Sequence, residues 1–200
     1  MYRFYLAAMD MLPAAVLLLP IYCFLNRLYF HDVRKSTVYW LFSCYLCTIY
    51  VLVGLPNVTY IRPELNLNLL PLIGIIDDWK NSILNVLLFI PLGIALPILW
   101  KPFKSLKATV FSGFSLSLII ELLQILTFRT TDINDLITNT TGTFLGFLCS
   151  KVLLRIFPSA KGIAGNEEIK DLLLLLAIEL AVMFFLYPFV SAALWDLLLS

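Results

Sequence analysis

Six blocks of largely apolar residues, at about 4–25, 37–55, 83–100, 108–127, 136–156 and 171–194, constrain this chain more than any motif within it. A helix rises 1.5 Å per residue, so about 20 residues cross the ~30 Å hydrocarbon core of a bilayer. Hydrocarbon offers the backbone no hydrogen-bond partner, and a helix satisfies its own. Only 14% of the 200 residues are charged and 61% are hydrophobic, whereas a soluble domain has roughly a quarter charged. The expected fold is therefore all-α: a polytopic membrane helical bundle of about six transmembrane helices. No cleavable signal peptide is expected, because the first block runs on past signal-peptide length and contains Asp10.

The basic residues give an orientation. Short cytoplasmic loops keep their Lys and Arg. The segments after blocks one, three and five carry Arg27, Arg34, Lys35, Lys101, Lys104, Lys107, Lys151, Arg155, Lys161 and Lys170. The N-terminus and the other two segments carry only Arg3, Arg62, Lys80 and Arg129. Both termini are then predicted outside, along with the Arg129–Asp135 turn. The organisation that follows is 1–34, an N-terminal transmembrane helix and basic cytoplasmic loop; 35–156, a core of four transmembrane helices; and 157–200, a cytoplasmic loop and C-terminal transmembrane helix. The expected location is a cell membrane, crossed several times.

Polar residues are costly inside a bilayer and usually face the bundle interior. Here they gather at one join. Glu121 and Gln124 share a helix face, and Asp132, Asp135 and Asn139 share another across a turn that carries Arg129. From the predicted block ends, Glu121 lies ~9 Å and Asn139 ~6 Å into the apolar region, with Asn85 a turn into block three and Asp10 at similar depth in block one. The candidate ligand-binding set is Asn85, Glu121, Gln124, Arg129, Asp132, Asp135 and Asn139, with Asp10 and Asn68 as secondary candidates. Asp132 also suits an N-cap, and Asp135 the first turn of the following helix. Gly142 and Gly146, in a G-x-x-x-G, suit close helix packing. Cys44 and Cys47 read as packing thiols rather than a redox pair. Glu179, near the middle of block six, needs a partner, for which Ser115 or Ser117 is put forward. No cofactor or metal is expected; Asp132 and Asp135 are the residues that would hold one. No basic patch supports nucleic-acid binding.

The ordered motifs carry a resemblance. N-x-x-L-F-x-P-x-G runs through Asn85, Leu88, Phe89, Pro91 and Gly93, E-x-x-Q is Glu121 and Gln124, and R-x-x-D-x-x-D-x-x-x-N-x-x-G-x-x-x-G spans Arg129 to Gly146. Asn68-Leu69-Leu70-Pro71 matches an N-L-x-P-F element except that Leu72 replaces Phe. Over roughly 35–155 the chain strongly resembles the VanZ-like family of bacterial membrane proteins, and Asp10-Met11-Leu12-Pro13 in the first block also fits. The resemblance implies an association with resistance to teicoplanin, a lipid-tailed glycopeptide acting at the outer membrane face, and implies no particular reaction.

Three functions are weighed. The first is binding or remodelling of a lipid headgroup or cell-wall precursor at the outer leaflet, with Arg129 as a bidentate anion fork. Its partners are membrane lipids, a lipid-linked precursor or a lipoglycopeptide. The second is an intramembrane enzyme on a lipid-linked envelope substrate, with Glu121 as acid or base and Arg129 stabilising negative charge; the absence of a nucleophile–base pair weighs against it. The third is a structural scaffold. The oligomeric state is left open.

Overall fold

A computed structural model describes residues 2–73, 78–157 and 169–199, with side chains described from Met11 to Leu197. It divides into two compact units, residues 1–61 with 172–200 and residues 62–171.

In the first unit, α1 (Tyr2–Leu25) runs into a π-helical turn at Asn26–Phe30. His31 closes it in the left-handed region, φ 51°, its amide donating to the Asn26 carbonyl at 2.8 Å. Asp32 then caps α2 (Val33–Val53), accepting from the amides of Arg34 at 2.8 Å and Lys35 at 3.2 Å. Gly54 ends that helix at φ 63°, where a side chain would be strained. The last apolar block is α6 (Ile169–Ala181), a π-helical turn (Val182–Leu186) and α7 (Tyr187–Leu199). Two hydroxyls tie the core of this unit: the Tyr22 hydroxyl lies 2.6 Å from Ser43 Oγ, and Ser36 Oγ donates to the Tyr22 carbonyl at 3.1 Å. The Glu179 carboxyl faces the Cys47 thiol, with Cys44, Tyr22 and Tyr50 around it. This corrects the serine expectation. Ser115 Oγ donates to its own helix at the Phe111 carbonyl, and Ser117 Oγ accepts from Asn139. Cys44 and Cys47 are both free thiols, Cys47 fully buried.

In the second unit α3 (Trp79–Leu99), α4 (Leu106–Gln124) and α5 (Ile133–Ile156) pack together, α5 against both of the others. Helix α3 begins four residues earlier than its apolar block. Asp78 precedes it, its carboxylate accepting from Asn81 Nδ2 at 2.6 Å and its carbonyl from the Ser82 amide at 3.1 Å. Lys101–Lys104 form a 3₁₀ turn into α4, which Ser105 caps through the Ala108 amide at 3.2 Å.

Among the described residues, five helical segments are long and apolar enough to cross a membrane: Met11–Phe30, Val33–Val53, Trp79–Leu99, Leu106–Gln124 and Ile169–Leu197. The protein is an all-helical, polytopic membrane protein. Helix α5 has the length, 24 residues or ~36 Å, but carries Asn139 and four threonines. All four hydroxyls bond back to the carbonyl one turn earlier: Thr138 to Asn134, Thr140 to Leu136, Thr141 to Ile137 and Thr143 to Asn139, at 2.7–3.1 Å. Threonine hydroxyls spent on their own helix leave mainly methyl groups at its surface.

The α3–α5 contact is set by glycine. A Cβ at Gly93 would fall on the Thr143 carbonyl oxygen, one at Gly142 on that of Val86, and one at Gly146 on that of Ile90. The two backbones therefore touch, as small residues allow between membrane helices.

A candidate site: the polar clasp over the α4–α5 turn

Helix α4 stops at Gln124, and its end is tied off locally. The Thr127 amide and Oγ1 both reach the Gln124 carbonyl, at 3.0 and 3.1 Å. Phe128 turns the chain at φ 58°, and Arg129 and Thr130 are exposed. The segment after Ile61 then lies alongside this turn. The Arg62 amide donates to the Leu126 carbonyl at 2.8 Å and the Glu64 amide to that of Ile125 at 2.9 Å. Further along, β1 (Leu67–Asn68) pairs in parallel with β2 (Thr131–Asp132), and the Thr131 amide donates to the Asn66 carbonyl at 2.9 Å.

Side chains lock this pairing. Asp132 is the N-cap of α5: Oδ1 accepts the Asn134 amide at 2.8 Å, and Oδ2 accepts Asn68 Nδ2 at 2.9 Å. Glu121, 3% exposed, accepts the Asp132 amide on Oε2 at 2.8 Å, and its backbone carbonyl accepts Thr131 Oγ1 at 2.9 Å. Asn134 grips the loop beyond β1. Its Oδ1 accepts the Leu72 amide at 2.7 Å and its Nδ2 donates to the Ile73 carbonyl at 3.0 Å. Leu72 sits at φ 67°, a conformation costing a branched residue ~1–2 kcal/mol, and the two Asn134 bonds hold it there.

Asn85 of α3 donates to Asp135 Oδ1 at 2.7 Å, joining α3 to the start of α5. The Arg129 charge acts on both Glu121 and Asp135, and the Asp132 and Asp78 charges also act on Asp135. Hydrogen bonds thus join Glu121, Asp132 and Asn68 in one set and Asn85 and Asp135 in another, and the Arg129 charge acts on both. Asn139, 3% exposed, donates to Ser117 Oγ at 2.9 Å and so joins α5 to α4. Gln124 is buried at the base of the turn. The Asp10 side chain lies outside the described residues. Asn134, Thr131 and the Asn66 carbonyl belong to the clasp but were absent from the candidate list. Asn134 falls between the i, i+3 and i+7 positions of the face that was read, and the extended segment at 62–73 has no periodicity to point at its partner. Among the described residues, no group of three His, Cys, Asp or Glu could hold a metal ion.

The loop across the clasp is apolar and outward. Leu65, Leu67, Leu69, Leu70, Leu72 and Ile73 are all exposed, Leu65 by 72%. Charged and amide groups within the clasp therefore lie beside a run of uncovered leucines.

A family model described as VanZ/LLP1 matches residues 37–155. The chain belongs to the VanZ/LLP1 family. It is similar to the protein VanZ of Enterococcus faecium, with 31% identity over 123 residues, which cover 61% of this chain and 71% of that protein. No solved structure matches. The matched region takes in α3, α4, α5 and every clasp residue named above, so the VanZ/LLP1 region holds both bonded sets.

Proposed function

We propose that this VanZ-like protein binds or remodels an amphiphilic envelope molecule at the outer leaflet of the bacterial cytoplasmic membrane, and so lowers susceptibility to teicoplanin-type glycopeptides. The supporting observation is the pairing of chemistries on one feature: an exposed arginine beside half-buried Asp135 and Asn85, next to a loop of uncovered leucines. A lipid headgroup or lipid-linked cell-wall precursor has the matching halves. Its phosphate or carboxylate would meet the Arg129 fork, its sugar or amide groups Asp135 and Asn85, and its hydrocarbon the leucines. The Lys and Arg distribution supports placing this end outside.

Within that reading the polar residues divide by role. Asp132, Glu121, Asn68 and Asn134 spend specific atoms on holding β1, β2 and the start of α5, which makes them positioning residues. Arg129, with Asp135 and Asn85, which are hydrogen-bonded to each other, is assigned to the ligand. The acid–base alternative is less well supported, because one Glu121 carboxylate oxygen is already committed to the Asp132 amide.

Teicoplanin and vancomycin susceptibility in a sensitive Gram-positive host, with membrane levels followed by blot, tests the proposal. Wild type is expected to protect selectively against teicoplanin, and Arg129→Ala to accumulate normally without protecting. Equal protection by Arg129→Ala would remove the ligand role. Loss of the variant protein from the membrane would make the clasp purely structural.

A further inference from the structure

Along the first half of α4, a groove of about 730 Å³ opens between α4 and α5. Its walls are Leu106, Val110, Phe111 and Phe114 from α4 with Thr140 and Phe144 from α5. Phe111 is 70% exposed, and Phe114 and Phe144 are more than a third exposed. The Thr140 hydroxyl is bonded to its own helix at 2.7 Å, so the groove is apolar along its length. From Lys107 to Phe114 it follows α4 for ~10 Å, within the ~15 Å depth of one leaflet's hydrocarbon.

The mouth is cationic. Lys107 lines it, Lys101 and Lys104 lie on the preceding 3₁₀ turn, and Lys151 Nζ, over the Phe147 ring, donates to the Lys104 carbonyl of that turn at 3.1 Å. Residues 99–114 and 140–157 contain no Asp or Glu. The lysines alone would follow from membrane topology. What topology does not explain is an open apolar groove running along α4 beside them.

We propose that this groove is a binding site for an anionic phospholipid of the surrounding bilayer, one acyl chain lying between Phe111, Phe114 and Phe144 and the headgroup phosphate against Lys107 and Lys151. It is independent of the clasp and its ligand.

Native mass spectrometry of the full-length protein tests this with phosphatidylglycerol and phosphatidylcholine of identical acyl chains. Phosphatidylglycerol is expected to be retained preferentially. Lys107→Gln and Lys151→Gln should each weaken that retention roughly fivefold, the contribution of one lysine at a membrane surface. Val110→Trp, which fills the groove, should abolish the preference, and thermal unfolding of lipid-free protein shows whether the variant folds. If it does not, Phe111→Ala, which removes an exposed ring, is expected to reduce retention without a change in unfolding midpoint. Glycerol 3-phosphate should not compete. Equal retention of both lipids, unchanged retention in the lysine and groove variants, or full competition by glycerol 3-phosphate would each overturn the proposal.

Discussion

Glu121 has a carboxylate oxygen 2.8 Å from a backbone amide and almost no exposure, so its replacements should separate by acceptor rather than by charge. Glu121→Gln keeps an oxygen for the Asp132 amide and is expected to hold the unfolding midpoint close to wild type. Glu121→Ala leaves that amide without its acceptor, a loss of ~1–3 kcal/mol, read as a lower midpoint for purified protein in detergent. Equal midpoints for the two variants would mean that the amide bond contributes nothing. Asn134→Ala removes both bonds that hold Leu72 at positive φ, and it should expose the 66–73 loop to protease while leaving the helical circular dichroism unchanged. The carboxylates and amides of this group were legible in the sequence, because polar residues in apolar blocks stand out. Their atom-level division was not. Nothing in the string Asp132-Ile133-Asn134-Asp135 tells which oxygen caps a helix and which receives Asn68 from 64 positions away.

At the scale of elements, α3 and α5 meet backbone to backbone, which leaves Gly142 no tolerance. Gly142→Ala places a methyl group on the Val86 carbonyl and near the Phe89 side chain, and the protein is expected to disappear from the membrane or elute as aggregate on size exclusion. A monodisperse Gly142→Ala protein with the wild-type midpoint would show that the two helices separate at little cost. The helices themselves were legible as apolar blocks to within a few residues. Their ends were less so: α3 starts at Trp79 because Asp78 and Asn81 close its first turn, and α4 stops at Gln124 because Thr127 captures the last carbonyl. The two-residue strands had no signature, since two residues show no alternation and each strand takes its identity from a partner far along the chain. Glu179 was noticed as needing company. Its neighbours Cys47 and Tyr22 come from other apolar blocks, which carry no periodic signal of which face meets which.

For the whole molecule, the Lys and Arg distribution predicts sidedness. Helix α4 has 19 residues between its caps, ~28 Å, so Lys104 and Arg129 should lie at opposite membrane faces. In a cysteine-free background, a membrane-impermeant maleimide added to intact cells is expected to label Arg129→Cys and to label Lys104→Cys only after the membrane is opened. The reverse pattern would invert the proposed topology and with it the outer-leaflet site.

The parallel clasp also has a meaning for biogenesis. Asn68 leaves the ribosome 64 residues before Asp132, its partner, an interval of about 3 to 13 s at ordinary rates of synthesis. Throughout that time α3 and α4 can enter the membrane as a hairpin, while the leucine-bearing segment ahead of them waits with its amides unsatisfied at the surface. Closing the clasp is then a late event, which depends on the start of α5 emerging on the correct side. A chain in which only one of α3 and α4 crossed could not make it, so the same hydrogen bonds that shape the site would also act as a check on insertion of the hairpin.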